Sequence, residues 1–210
     1  MNRAGEVVLL FHGLWMNRAA MIYLVRSLAA SGFRARSVGY LSAMRDFDDN
    51  AARVRRAIAN ADGSAVHLVA HSLGGMICLR ALEHMPKHRV QRVVLLGTPI
   101  GGCVGGRQLA ESRWGAPLLG KTKSLWLATP KLHIPDNVEV GAIAGTRRFG
   151  LGGILLKLPL PNDGVVTVAE TRHPHLVDHL VLPIAHSQML VSPRVSREIA
   201  TFLKTGRFAR

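Results

Sequence analysis

The stretch that most constrains this chain runs from Val66 to Gly75: an apolar run, Val66-His67-Leu68-Val69, then Ala70-His71-Ser72-Leu73-Gly74-Gly75. A helical pattern, Met76-Ile77-Cys78-Leu79-Arg80-Ala81-Leu82, opens directly behind it. A buried strand thus ends in a serine and a helix starts on the next residue. That succession leaves no room for a loop and requires a sharp, strained turn, so the residues two before and two after the serine must be small. Ala70 and Gly74 meet the demand. The pattern is that of a nucleophile elbow, which lifts a serine hydroxyl above the end of a sheet and aims a helix N-terminus at it. Free backbone N–H groups and the helix dipole would stabilise negative charge developing there.

Around this turn the chain alternates between two periods. Residues 6–11, 34–38, 66–70, 89–96, 138–144 and a segment near 180–183 read as strands. Several are short continuous apolar runs, as expected of a parallel sheet covered on both faces. Helical patterns lie between them. The first carries Met21, Leu24, Val25 and Leu28 and stops at Ser31-Gly32. The second, capped by Asp46 or Asp48, carries Phe47, Ala51, Val54 and Ile58. The elbow helix is stopped by Pro86, and the last opens at Ser192-Pro193 with Val195, Ile199, Phe202 and Leu203 behind it. The expected fold is α/β: one domain over residues 1–210, with a mostly parallel sheet of about six strands and helices on both faces.

One region breaks the alternation. Residues 98–135 carry no strand signal but a glycine-rich start, Gly101-Gly102-Cys103-Val104-Gly105-Gly106, followed by Trp114, Leu118, Leu119, Leu125, Trp126 and Leu127. A long connection leaving the C-terminal end of a strand is where an α/β sheet carries its lid or pocket. Residues 100–136 are therefore expected to form a short cap, with 105–131 over an apolar pocket that Trp15, Trp114 and Trp126 contact.

Composition narrows the function classes. With 48% hydrophobic and 19% charged residues the chain is globular rather than disordered, and it lacks an apolar run near 20 residues, so a membrane span is not expected. The N-terminus goes almost directly into a strand, without a basic region followed by a separate apolar stretch. That predicts a cytoplasmic protein, although a chain already trimmed would read the same. Two cysteines make no disulfide framework, and free thiols are expected at Cys78 and Cys103. The formal net charge of +14 favours anionic partners. Basic residues are scattered, no nucleic-acid motif accompanies them and aromatics are only 5%, so nucleic acid is not an expected partner. Lys121 and Lys123 beside Leu125-Trp126-Leu127 suggest instead an apolar wedge with a basic rim, suited to peripheral contact with an anionic membrane.

A serine hydroxyl attacks poorly until a base takes its proton and a third group holds that base in the right tautomer. In an α/β sheet with an elbow these partners follow the serine in the order acid, then histidine, each at a strand end. Of ten histidines, His71 abuts the serine and is expected to point elsewhere when Ser72 points out, whereas His186 follows the last strand and precedes the last helix, where the base is needed. Among the acids after the serine, Asp163 lies in the polar turn Pro161-Asn162-Asp163-Gly164, whereas Asp178 stands at the entry of the last strand, the wrong end. Asp163 could also simply cap its turn. An oxyanion needs two backbone donors: the N–H of Leu73, next to the serine, and the N–H of Leu14, behind the flexible Gly13 of Phe11-His12-Gly13-Leu14-Trp15.

With these residues assembled, His12-Gly13, Ala70-His71-Ser72-Leu73-Gly74-Gly75, Gly97-Thr98-Pro99, Asp163-Gly164-Val165-Val166 and His186-Ser187-Gln188-Met189 resemble the small lipase and esterase branch of the α/β-hydrolase superfamily. Alanine replaces the first glycine of the commonest elbow, as in bacterial lipases, and the first two strands of larger members are absent. The resemblance implies hydrolysis of a small-molecule acyl ester or lipid through an acyl-serine intermediate, with no cofactor and no metal. It leaves open an acyltransferase or thioesterase using the same Ser72, Asp163 and His186, and, further off, a non-catalytic binding protein on the same fold.

Overall fold

A computed structural model describes residues 5–85, 88–128, 131–149 and 156–209. The expected stop of the elbow helix at Pro86 lies outside these residues, as do Thr129 and Pro130 of the expected cap. Six strands form a single sheet: β1 (Glu6–Phe11), β2 (Arg34–Val38), β3 (Ala65–His71), β4 (Val90–Leu96), β5 (Glu139–Gly145) and β6 (Asp178–Leu182). Their order is β2-β1-β3-β4-β5-β6, and every neighbouring pair is parallel. The crossovers carry α1 (Ile22–Ala30), α2 (Phe47–Ala59), α3 (Leu73–Glu83), α4 (Val104–Glu111) and α5 (Lys123–Ala128), and the chain closes on α6 (Pro193–Thr205).

Side chains alternate across a strand, so each central strand feeds two cores. Leu9, Phe11, Leu68 and Leu95 face one side, where they pack with Val54 and Ile58 of α2 and Ile77 of α3. Val8, Leu10, Val69 and Val94 face the other, where they meet Leu24 and Leu28 of α1 and Ile199 and Phe202 of α6. Burial on both faces is why these strands read as unbroken apolar runs. β6 starts at Asp178 rather than near 180, since Gly141 to Gly145 of β5 pair with residues 178 to 182. At the head of α6, Ser192 Oγ accepts the Val195 N–H at 3.3 Å and Pro193 takes the first position, as the sequence predicts. Cys78 and Cys103 are free and buried. Among the described residues no helix is long and apolar enough to cross a membrane.

No strand interrupts the described residues between β4 and β5; α4, a 3-10 segment over Ala116–Thr122 and α5 fill the interval. Here the structure corrects two expectations. Leu125 and Trp126 do not form an outward wedge. Both are buried, and the Trp126 indole N–H donates to Thr122 Oγ1 at 3.1 Å. Gly106 makes space for that indole, since a Cβ there would stand 2.5 Å from the ring. Lys121 meanwhile lies 3.9 Å from the Asp46 carboxylate, so the expected basic rim is partly neutralised. Trp114 is 90% exposed, does not line the apolar cavity beside Ser72, and stands in the turn between α4 and the 3-10 segment.

Candidate active site

Ser72 joins β3 to α3 at φ 53° and ψ −126°, a conformation that L-residues adopt only under constraint. The constraint is visible. The Ser72 N–H donates to the Leu96 carbonyl at 2.8 Å, and Thr98 Oγ1 donates to the Ser72 carbonyl at 3.2 Å. A Cβ on Gly74 would come within 2.5 Å of the His12 carbonyl oxygen, and one on Gly75 within 2.1 Å of Thr98 Oγ1. The small residues that make the elbow legible are thus enforced by the end of β1 on one side and the end of β4 on the other.

His186 and Asp163 arrive from separate loops and meet beside that turn. The His186 Nδ1–H donates to Asp163 Oδ2 at 2.7 Å, and the His186 backbone N–H donates to the Asp163 carbonyl at 3.0 Å. The second carboxylate oxygen accepts the N–H groups of Val165 at 2.9 Å and Val166 at 2.8 Å. Burial pushes the Asp163 carboxyl up. The charge and hydrogen bond of His186 and the two backbone donors outweigh it, so its pKa falls below the ordinary value. Asp163 therefore stays ionised and, through this bond, holds a proton of His186 on Nδ1. Gly97, at φ +54, forms the floor under the pair: a Cβ there would come within 2.9 Å of the imidazole and 3.1 Å of Asp163 Oδ2. Asp178 stands at the start of β6 and instead accepts the Phe208 N–H at 2.9 Å.

A second imidazole lies against the first. The His71 and His186 rings are 4.5 Å apart, and His71 Nε2 lies 3.1 Å from the His186 carbonyl oxygen. A carbonyl only accepts, so Nε2 carries the proton and Nδ1 is a lone pair. That Nδ1 is buried and has no hydrogen-bond partner among the described residues. Burial, and then the neighbouring charge of His186, lower the His71 pKa from its ordinary 6.5 to about 3. His12 is set apart, stacked on Tyr40 at 4.3 Å, its pKa lowered by burial.

The site opens into a cavity of about 350 Å³ whose walls are mostly apolar; Leu14, Trp15, Ser72, Leu119, Trp126 and His186 all line it. Trp15 also donates its indole N–H to the Leu118 carbonyl at 2.7 Å. Leu73 is the first residue of α3, so its N–H belongs to the unpaired set at a helix start. The structure thus brings together Ser72, His186, Asp163, Leu14, Leu73, Trp15 and Trp126, and leaves Trp114 outside. His186 and Asp163 are joined directly, whereas no hydrogen bond from Ser72 Oγ to the imidazole is present among the described residues. No group of His, Cys, Asp or Glu among them could hold a metal ion.

The sequence reading missed three supporting residues. His71 was expected to point away from the site. Gly97 has no partner legible in sequence. Glu170 is a buried carboxylate that accepts the N–H of Thr167 at 2.6 Å and also that of Val104, tying the Asp163 loop to the start of α4. The Glu170 N–H in turn donates to Thr167 Oγ1 at 3.2 Å. That Thr-x-x-Glu reciprocity was available as a signal.

The comparisons agree with this architecture. The sequence model of the Alpha/beta hydrolase family matches residues 7–200. The mature form of a Bacillus licheniformis lipase superposes with a TM-score of 0.75 at 24% identity, covering 96% of this chain and 91% of that one. Its propeptide form gives 0.79 at 22% identity and covers 99% of this chain but 51% of that one. A metagenomic carboxyl esterase gives 0.64 at 19% identity, covering 87% of this chain and 65% of that one. At such identities the likeness is one of fold. A lysosomal thioesterase of Xenopus laevis, PPT2-B, is 44% identical over 48 residues, only 23% of this chain and 17% of that protein.

Proposed function

This chain belongs to the alpha/beta hydrolase family, and we propose that it hydrolyses carboxylic esters through an acyl-serine intermediate. In this reading Ser72 Oγ attacks the ester carbonyl while His186 Nε2 takes its proton, and Asp163 holds the ring and its developing charge. The N–H groups of Leu14 and Leu73 receive the oxyanion. The imidazolium then gives its proton to the departing alkoxide, which leaves as the alcohol. Water, deprotonated by the same His186, attacks the acyl-enzyme, and collapse returns the proton to Ser72 and releases the acid. The apolar cavity takes the acyl chain, with Trp15 and Trp126 in its wall.

The observation that carries this reading is the 2.7 Å bond from His186 to a buried, ionised Asp163 beside a cavity that also opens on a strained serine. A structural histidine needs neither an orienting carboxylate nor a serine held in a left-handed turn. Structural likeness to a lipase and a carboxyl esterase supports the ester, and the short thioesterase match is the reason to include thioesters in the test. The experiment is fluorophosphonate labelling of the purified chain, paired with a panel of p-nitrophenyl esters and acyl thioesters. Labelling of the native protein at Ser72, its loss in Ser72→Ala with thermal unfolding unchanged, and turnover on esters are expected. An unlabelled native protein without turnover on the panel would overturn the assignment.

A further inference from the structure

A second concavity, of about 590 Å³, lies at the edge of the sheet, between the edge strand β2 and the C-terminal half of α2. Four guanidinium side chains line it: Arg34 and Arg36 from β2, Arg53 and Arg56 from α2. Residues two apart on a strand share a face, and residues three apart on a helix are neighbours. The two elements therefore present two arginines each to one groove, above a floor that includes Val38 and Ala57. None of its lining residues belongs to the apolar cavity. The groove runs along β2 from Arg34, paired with Val7, to Val38, on the edge strand, whereas Ser72 follows the central strand β3.

Four arginines against one aspartate leave this groove with an excess of positive charge among the described residues. The chain has only 13 acidic residues for 27 Lys and Arg, and it places several of them on cations elsewhere. Arg80 meets Asp48 at 2.8 Å and Glu83 at 3.1 Å, and Arg92 meets Glu139 at 2.6 Å. Arg36, Arg53 and Arg56 have no ion-pair partner among the described residues, and Asp62 is the one carboxylate in the lining. Asp62 contributes its backbone carbonyl, which accepts from Arg34 Nη1 at 2.8 Å and holds that guanidinium in place before any ligand arrives. Like charges gathered in this way repel, and no ion pair to Arg36, Arg53 or Arg56 among the described residues offsets the repulsion.

We propose that this groove is a binding site for a multiply charged phosphate ligand. Guanidinium groups present planar forks that match phosphate oxygens two at a time, which lysines do not. A single phosphate would leave most of the volume empty and most of the arginines unused. A ligand with two or more linked phosphates, or a phospholipid headgroup at a membrane surface, meets both walls. The groove is independent of the ester-hydrolase reading and would stand if that reading failed.

The test uses the full chain, calorimetric titration with inorganic tripolyphosphate, and co-sedimentation with phosphatidylcholine vesicles with or without phosphatidic acid. Saturable binding is expected to tripolyphosphate if the ligand is a free anion, and only to the phosphatidic acid vesicles if it is a headgroup. In either arm Arg53→Gln/Arg56→Gln should weaken binding roughly tenfold or more, since both lost guanidinium groups supply charge-assisted hydrogen bonds to phosphate oxygens. Both side chains are exposed, so thermal unfolding should not change. Arg194→Gln/Arg197→Gln removes two exposed arginines at the same spacing on α6 and serves as the charge control; it should bind as the native chain does. Absence of saturable binding in both arms, or equal weakening by the two double variants, would overturn the site and reduce the effect to net charge.

Discussion

The two walls of the apolar cavity are held by different physics. Ser72, Gly97, Asp163 and His186 sit at or just beyond strand ends and are fixed by backbone geometry and charge-assisted hydrogen bonds, with the 2.7 Å His186–Asp163 contact at the centre. The facing wall, from α4 to α5, rests on side-chain packing around Trp126 and Leu119, both buried, and is joined to the first wall by the Glu170 carboxylate. A polar wall of this kind tolerates little geometric error but contributes little apolar burial. The packed wall contributes burial and shape and touches no reacting proton. Substitutions on the first should therefore cost rate at constant stability, and substitutions on the second should cost stability and change which chain length is preferred.

The largest expected effect breaks the polar wall. Asp163→Asn keeps the shape of the side chain and loses the charge that fixes the His186 tautomer. Turnover should fall by about 10³–10⁴, as it does when a triad aspartate is replaced, while the melting temperature moves little. Asp178→Asn should leave turnover near native, because that carboxylate serves the Phe208 N–H at the far end of β6. The reverse result would move the acid. Next comes the packed wall. Trp126→Ala removes a buried indole and its bond to Thr122 and should cost about 3–5 kcal/mol of unfolding free energy by urea titration. It should also penalise long-chain esters more than acetates, since each buried methylene contributes about 0.8 kcal/mol. An equal loss across chain lengths would show that Trp126 supports the fold without touching the acyl chain.

The same contrast explains what was legible in the sequence. The six strands, the elbow and the placement of His186 and Asp163 at strand ends follow from local pattern: apolar runs, small residues around a serine, a polar turn carrying Gly164. The packed wall is not local. Trp114 stands between Arg113 and Gly115 and Trp126 between Leu125 and Leu127, and neither setting shows that Gly106, distant in sequence, leaves room for the second indole. The misread wedge at Leu125-Trp126-Leu127 has the same origin, for a six-residue helix has too short a period to show which face is covered. His71 was misread because a side chain beside a strained serine takes its direction from the His186 loop, which arrives 115 residues later.

A smaller effect, at the boundary of the two walls, is read through pH. His71 falls from its ordinary 6.5 to about 3 in the folded chain, burial being the main cause. Its neutral form is the folded one, so below about 6.5 the unfolded chain takes up a proton that the native chain refuses. The resulting stability is fully present above 6.5 and is lost as pH falls toward 3, by up to about 1.4 kcal/mol per pH unit. His71→Gln keeps an N–H donor for the His186 carbonyl and does not titrate. Between about pH 7 and pH 4.5 its stability should therefore decline by roughly 2–3 kcal/mol less than that of the native chain. Asp163 does not confuse the measurement. Its pKa is lowered from 3.8, so its contribution is present above that value and is lost only at lower pH. Parallel declines in the two proteins would show that the His71 ring is protonated at little cost.

The smallest expected effect falls on the residue where sequence and structure differ most. Trp114 is 90% exposed and lines neither wall. Surface substitutions without a buried partner usually shift stability by less than about 0.5 kcal/mol. Trp114→Ala should thus leave unfolding free energy, acetate turnover and long-chain turnover all near native, while Trp126→Ala changes the first and the last. Two tryptophans separated by one 3-10 segment would then behave as a surface residue and a wall residue. An exposed indole could still matter in one way, by entering a lipid surface, and the measurement can detect it: long-chain turnover would fall on dispersed lipid yet hold on the same ester dissolved as monomers. Loss on both would instead place Trp114 against the acyl chain and require the turn between α4 and the 3-10 segment to fold inward over the cavity.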